Sequence, residues 1–214
     1  MRTRGVLPGV ACGLLFFGVL AGCGSTSAAP ATPPTAKEIL AKPEKAAGLT
    51  NAHFTLAAAF PVATGVLLDM SGDGIVVYKP DPAARISFHG SSGGRTLDVV
   101  VLTVGGTDYT MVTPGPGKWM SSPTTSNPAK LSDSTGATYV GEEQLPQGKA
   151  WHVKATDKDG NPIELWVRES DGYPLKYTTR QASGSSSGNA TLTFDKFNTG
   201  ESVTAPPPAQ VQAS

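Results

Sequence analysis

The residues of this chain whose chemistry stands out are one cysteine and three histidines. Cys23 directly follows Leu20-Ala21-Gly22. Arg2 and Arg4 lie near the start, an apolar run extends from Val10 to Leu20, and the chain turns small and polar from Gly24 to Pro30. A basic start, a short apolar stretch and small residues before a cut are the parts of a secretory signal. His53, His89 and His152 fall at the start of, or within, predicted strands, and none has a partner at a metal-ligand spacing. Gly90-Ser91-Ser92-Gly93-Gly94 and Gly184-Ser185-Ser186-Ser187-Gly188 fit Gly-x-Ser-x-Gly by letter, but both are Gly/Ser stretches rather than nucleophile elbows; there is no His-Glu-x-x-His and no phosphate loop. Ser91-Ser92-Gly93-Gly94 and residues 184–188 read as linkers. Asp157 to Asn161 is too short for a calcium loop and lacks its closing glutamate, so it reads as a turn. Glu142-Glu143 reads as a solvated pair. Nothing here points to catalysis, a metal or a cofactor, and the expectation is a protein that is not an enzyme.

The Cys23 segment resembles a bacterial lipoprotein signal, whose lipobox has the Leu-Ala-Gly-Cys pattern. The resemblance implies diacylglyceryl transfer to the Cys23 thiol, with palmitate-class chains, and cleavage between Gly22 and Cys23. Often the new amino group is acylated as well. The protein would then work outside the cytoplasm, anchored to the cell membrane by the lipid at Cys23. The apolar run is shorter than the roughly 20 residues of a spanning helix. An ordinary signal cut after Ala28 or Ala29 is the other reading. Two or more acyl chains anchor stably where one alone does not, so such a domain needs no transmembrane segment.

The chain has 214 residues, and Lys+Arg and Asp+Glu both number 17, for a net charge of +0. Loss of Arg2 and Arg4 with the leader would leave the remainder slightly acidic. Nothing recommends nucleic acid as a partner. Of two cysteines, Cys12 leaves with the leader and Cys23 would be lipidated, so the domain has no disulfide and relies on its core. With 25 Gly and 18 Pro, short strands and turns are expected rather than helices.

In order, the domains expected are a leader at 1–22, a flexible tether at 23–34, a folded domain at 35–204 and a Pro-rich tail at 205–214. Thr35 with Glu38 forms a capping-box pattern for a short helix ending near Leu49, divided by Pro43 into one helix or two fragments. Ile39 and Leu40 are its docking residues. From Asn51 the period is two, with Phe54, Leu56, Ala58 and Phe60 on one face. Two apolar runs flank Ser71-Gly72-Asp73-Gly74, which reads as a hairpin turn. A strand from Ala84 to His89 follows, then Thr96 to Val104, and Gly105-Gly106 turns the chain into Thr107 to Val112. The stretch from 114 to 148 shows no sustained period, and is expected to be a lid, a binding loop or disordered. From Lys149 a meander returns, with strands near Trp151–Ala155, Ile163–Val167, Leu175–Thr179 and Ala190–Phe197. Its alternation implies one buried and one solvated face. Trp166 is out of phase with Ile163, Leu165 and Val167: its face is covered, or it is exposed and available to a partner.

The ordered motifs resemble a family. A lipobox, tether and short helix lead into Asn51-Ala52-His53-Phe54, and a Gly-Gly hairpin with Asp108-Tyr109 precedes Lys118-Trp119. Then come Gly148 to Val153, Leu165-Trp166-Val167, Asp171 to Leu175, Thr193 to Phe197, and Val203 to Pro207. This is similar to the actinobacterial lipoproteins of LolA-like fold, the class of LppX and LprG. The resemblance implies a mainly β (α+β) fold: a strongly curved antiparallel half-barrel with a short N-terminal helix and a poorly structured covering segment. Such proteins carry acylated lipids, or lipoprotein acyl chains, between sheet and helices. Phe54, Leu56, Phe88, Leu97, Val99, Val101 and Trp151 are the candidate lining of an acyl-lipid cavity. The chain departs from the lipid carriers in 121–138, which is polar where their covers are apolar and helical. The first functional reading is therefore a cell-envelope lipoprotein binding a hydrophobic ligand without catalysis. The second is an envelope protein-interaction or stress-sensing module, using Trp166, the 114–117 loop and the polar segment to hold a protein partner.

Overall fold

A computed structural model describes residues 33–63, 66–92, 95–124, 131–183 and 186–213. The leader, Cys23 and most of the tether lie outside the described residues. The chain divides into two compact units, Met1–Pro33 and Pro34–Ser214; of the first, only Pro33 is among the described residues.

Two short helices open the second unit. α1 spans Ala36–Leu40 and starts in the expected capping box: the Glu38 N–H donates to Thr35 Oγ1 at 3.3 Å, and the Thr35 N–H donates to Glu38 Oε2 at 2.8 Å. α2 spans Lys42–Lys45, with Pro43 in its first turn. An amide there has no intrahelical acceptor, so proline costs nothing at that place. Ile39 and Leu40 are buried, at 0 % and 1 % exposure.

The rest is strand. β1 is Asn51–Ala63, β2 Val66–Val77, β3 Ala83–Ser92, β4 Arg95–Val104, β5 Thr107–Thr113 and β6 Trp119–Pro123. After a connection come β7 Thr135–Leu145, β8 Gly148–Thr156, β9 Pro162–Arg168, β10 Pro174–Ser183, β11 Ser186–Phe197 and β12 Val211–Ala213. All twelve form one curved, unclosed sheet in the order β12-β6-β5-β4-β3-β2-β1-β11-β10-β9-β8-β7. Two successive meanders, β1–β6 and β7–β11, are thus joined at an antiparallel seam between β1 and β11, in which Phe54 opposes Phe194. Every pairing is antiparallel except that of β12 with β6.

Three expectations change. Ser71 to Gly74 is not a turn but the middle of β2. Gly74 opposes Phe54, and Gly72 opposes Phe88 on β3. A Cβ at Gly74 would overlap the Phe54 ring, and one at Gly72 the Ser87 carbonyl; these glycines make room for neighbours instead of reversing the chain. The stretch from 114 to 148 includes, among its described residues, two strands, β6 and β7. Its period is hidden because the β7 register shifts between Thr135 and Thr138 and again between Tyr139 and Gly141, and each shift reverses the alternation. The C-terminal tail ends as β12, where Val211 opposes Trp119 and Gln212 opposes Met120.

Candidate functional site

Directly opposed residues of neighbouring strands point to the same face. From Leu56 the register runs through Gly72, Phe88 and Val99 to Val112. In the other direction it runs through Leu192, Tyr177 and Leu165 to Val153. Phe54 alternates with Leu56, Leu97 and Val101 with Val99, and Trp151 with Val153. All seven candidate lining residues therefore share one face, which is also the face on which the helices pack. We call it the inner face.

The helices divide that face. α1 packs on β7, β8 and β9, and Ile39 and Leu40 complete a buried cluster with Val153, Ala155, Ile163, Leu165 and Val167. Trp151 lies against this cluster, half-buried, with Lys42 Nζ 4.7 Å from its ring centre. Beyond α2, Ala46 and Leu49 close a second cluster over Ala52, Phe54, Val76 and Phe194. Phe54 is fully buried there, edge-on to Phe194 at 5.7 Å, and Leu56 lies at its border. Phe54 and Trp151 are therefore packing residues of the covered half. Phe88, Leu97, Val99 and Val101 lie on β3 and β4, away from the strands on which α1 packs, β7, β8 and β9. Val99 is buried and the other three are half-buried.

The uncovered half continues past β4. Val112 opposes Val99 on β5, and Met120 of β6 opposes Thr110, which opposes Val101. Met120 is 40 % exposed. Sequence patterning misses both residues: β6 is too short for a period, and Val112 reads only as the end of a hairpin arm. The described cavities lie elsewhere. One of about 770 Å³ sits between the β4–β5 turn and Val203 to Ala205; another of about 500 Å³ is lined by Glu164, Thr178, Arg180 and Asn189.

The outer face carries the polar chemistry. Each histidine has a carboxylate partner: His53 Nδ1 is 2.6 Å from Asp195, and His89 Nδ1 2.5 Å from Asp98. His152 has two, with Nδ1 2.8 Å from Glu143 Oε1 and Nε2 2.8 Å from Glu164 Oε2. Its ring stacks on Trp166, the centroids 4.0 Å apart and the planes at 13°. The Trp166 indole N–H donates to Glu143 Oε2 at 2.9 Å, and Lys176 Nζ lies 4.4 Å from the Trp166 ring centre. The indole hydrogen bond, helped by His152 against a desolvation cost, holds the Glu143 carboxyl below the usual carboxylate range. Glu142 and Glu143 are both exposed to solvent, and each has partners: Glu142 pairs with Lys149, and Glu143 with His152 and Trp166. Trp166 is 6 % exposed and fully engaged, which answers the open question about its face: it is covered, and the ring offers nothing to a partner. The Asp157 loop is a plain turn, whose carboxylate accepts the Asp159 and Asn161 amides at 2.9 and 2.8 Å. Among the described residues no group of three or more His, Cys, Asp or Glu could hold a metal ion, and no helix is long and apolar enough to cross a membrane.

No protein-family profile matches the chain, and no curated protein matches it in sequence. Solved structures do match. An uncharacterised conserved protein of Thermus thermophilus is 15 % identical with a TM-score of 0.50, over 84 % of this chain and 99 % of that one. LprF of Mycobacterium bovis is 18 % identical with a TM-score of 0.48, over 81 % and 96 %. A LolA superfamily protein of Nitrosomonas europaea is 13 % identical with a TM-score of 0.37, over 77 % and 93 %. At these identities the likeness is one of fold. The architecture is a half-barrel: one curved, unclosed sheet, antiparallel but for β12, with two short helices on its inner face.

Proposed function

We propose that this is an extracytoplasmic lipoprotein, held at the membrane by a lipid on Cys23, whose half-barrel binds a hydrophobic ligand such as an acyl lipid. The observation that carries the reading is the apolar row Phe88, Leu97, Val99, Val101, Val112 and Met120. It lies on the inner face of β3–β6, away from the strands on which α1 packs. A contiguous apolar surface left partly open marks a ligand or partner site. An alkyl chain suits it, because the row offers methyl and methylene groups and no charge. The other half, under α1 and α2, is packed core and gives the sheet its rigidity. No step of this reading needs a catalytic group.

The Cys23→Ser protein, which carries no lipid of its own, tests it. Purified from a lipid-rich host and examined by native mass spectrometry, it should retain acyl lipid. The Val99→Asp form should lose it while keeping its β circular dichroism. A Cys23→Ser protein that is consistently free of lipid, and that takes none from vesicles, would sink the reading.

A further inference from the structure

We propose that Glu143, His152 and Glu164 form a proton-operated clasp for the edge strand β7, fastened while the His152 ring carries both protons and loosened when it loses one. The three residues lie on consecutive strands β7, β8 and β9, so the two hydrogen bonds staple three strands in a row. β7 needs such a staple. It ends the sheet with a partner on one side, and its two register shifts interrupt the ladder to β8.

The geometry dictates the proton count. A neutral imidazole has one N–H and one lone pair, whereas the imidazolium donates from both nitrogens. Carboxylate oxygens stand 2.8 Å from each nitrogen, so a lone pair on either side would face another lone pair. The proton cannot be relocated to the carboxylates cheaply. Glu143 is engaged at its second oxygen by the Trp166 N–H, and Glu164 at its second oxygen by Lys154 at 3.3 Å. From β10, Lys176 adds positive charge above Trp166; from β7, Glu142 faces Lys149 rather than the ring. The His152 side chain is 6 % exposed, so water does not readily replace a lost partner. Proton binding therefore favours the fastened state, and β7 loosens as pH rises through the ring's titration. Acid opens the clasp from the other side, once the carboxyls take protons.

Nitrogen NMR of the histidine-labelled full-length protein, with His152 identified by its absence from His152→Gln, reads the ring directly. Hydrogen exchange, corrected for its intrinsic pH dependence, reads β7. Both ring nitrogens should be protonated wherever β7 is fully protected. Loss of one charge-assisted bond should then raise β7 opening about tenfold as the ring titrates, with β1 and β11 amides unmoved. Glu143→Gln should abolish that pH response; Glu164→Gln serves equally if the first variant does not fold. A ring with a single proton while β7 is fully protected, β7 protection that stays flat as the ring loses a proton, or an unchanged response in the variants overturns the proposal.

Discussion

Trp166 joins two kinds of interaction in one side chain, a ring stacked on His152 and an N–H given to Glu143. Trp166→Phe keeps most of the stack and deletes the donor. We expect a loss of about 1 kcal/mol in urea denaturation, the low end for a hydrogen bond to a half-exposed charge. Trp166→Leu should cost more, since the ring's stacking and the cover over His152 go as well. Asp171 gives a pH prediction. Burial pushes its carboxyl up, but the Arg168 guanidinium and the Tyr173 amide outweigh that and hold it below its ordinary 3.8. A carboxyl with a depressed folded value contributes stability that is complete above the unfolded value and vanishes as pH falls through the folded one. Asp171→Asn should therefore lower the melting temperature near neutral pH and flatten its decline in acid. An acid limb as steep as that of the parent protein would contradict this.

At the scale of elements, β2 shows how a strand can look like a turn. Gly74 sits opposite Phe54, and the missing side chain is the space the phenyl ring occupies. Gly74→Ala should cost about 3 kcal/mol by overpacking, measured by chemical denaturation. A change below a few tenths would mean that both the ring and the Arg85 carbonyl beside it move aside freely. Much of the remaining architecture was legible. Thr35 and Glu38 announced the helix start, because a capping box is a local arrangement. The strands of the second meander followed from strict alternation at Trp151, Val153 and Ala155, and at Ile163, Leu165 and Val167. What stayed hidden depends on partners distant in sequence. Ser-Gly-Asp-Gly has turn composition, and only the Phe54 ring and the β3 backbone from Arg85 to Phe88 explain its glycines. β7 loses its alternation at two irregularities, and β12 is three residues that become a strand by meeting β6. Phe54, Leu56, Phe88, Leu97, Val99, Val101 and Trp151 were named as a lining through the resemblance, and it is the strand register that puts them on one face. Their division into covered and uncovered halves was not legible, because it depends on where α1 and α2 come to rest. Trp166 could not be resolved from sequence, since its cover is built from Glu143, His152 and Lys176 on three other strands.

For the molecule as a whole, the reading makes a thermodynamic demand. A ligand that binds the folded state stabilises it by about 2.7 kcal/mol at one hundred times its dissociation constant, or roughly 5–10 °C in melting temperature for a chain of this size. The Cys23→Ser protein should show such a shift with a long-chain fatty acid or phospholipid micelle, and Val99→Asp should not. Equal shifts in both proteins would place the ligand away from β3–β6. Because the fold holds no disulfide among its described residues, reductant should leave the melting curve where it was.

The seam between β1 and β11 has one more consequence. Each meander zips neighbours that are close in sequence, but Ala52 opposes Phe197, and that closure comes with a large loop entropy. The two meanders are joined in sequence by the link between β6 and β7, whose ends lie at opposite sides of the sheet. The polypeptide is thus two separately encoded halves that find each other twice more, through α1 on β7–β9 and through β12 on β6. Cut in that link, it should behave as a complementing pair, with fragments that are unstable alone and rebuild the sheet when mixed. The same interlocking would let two copies exchange halves at high concentration.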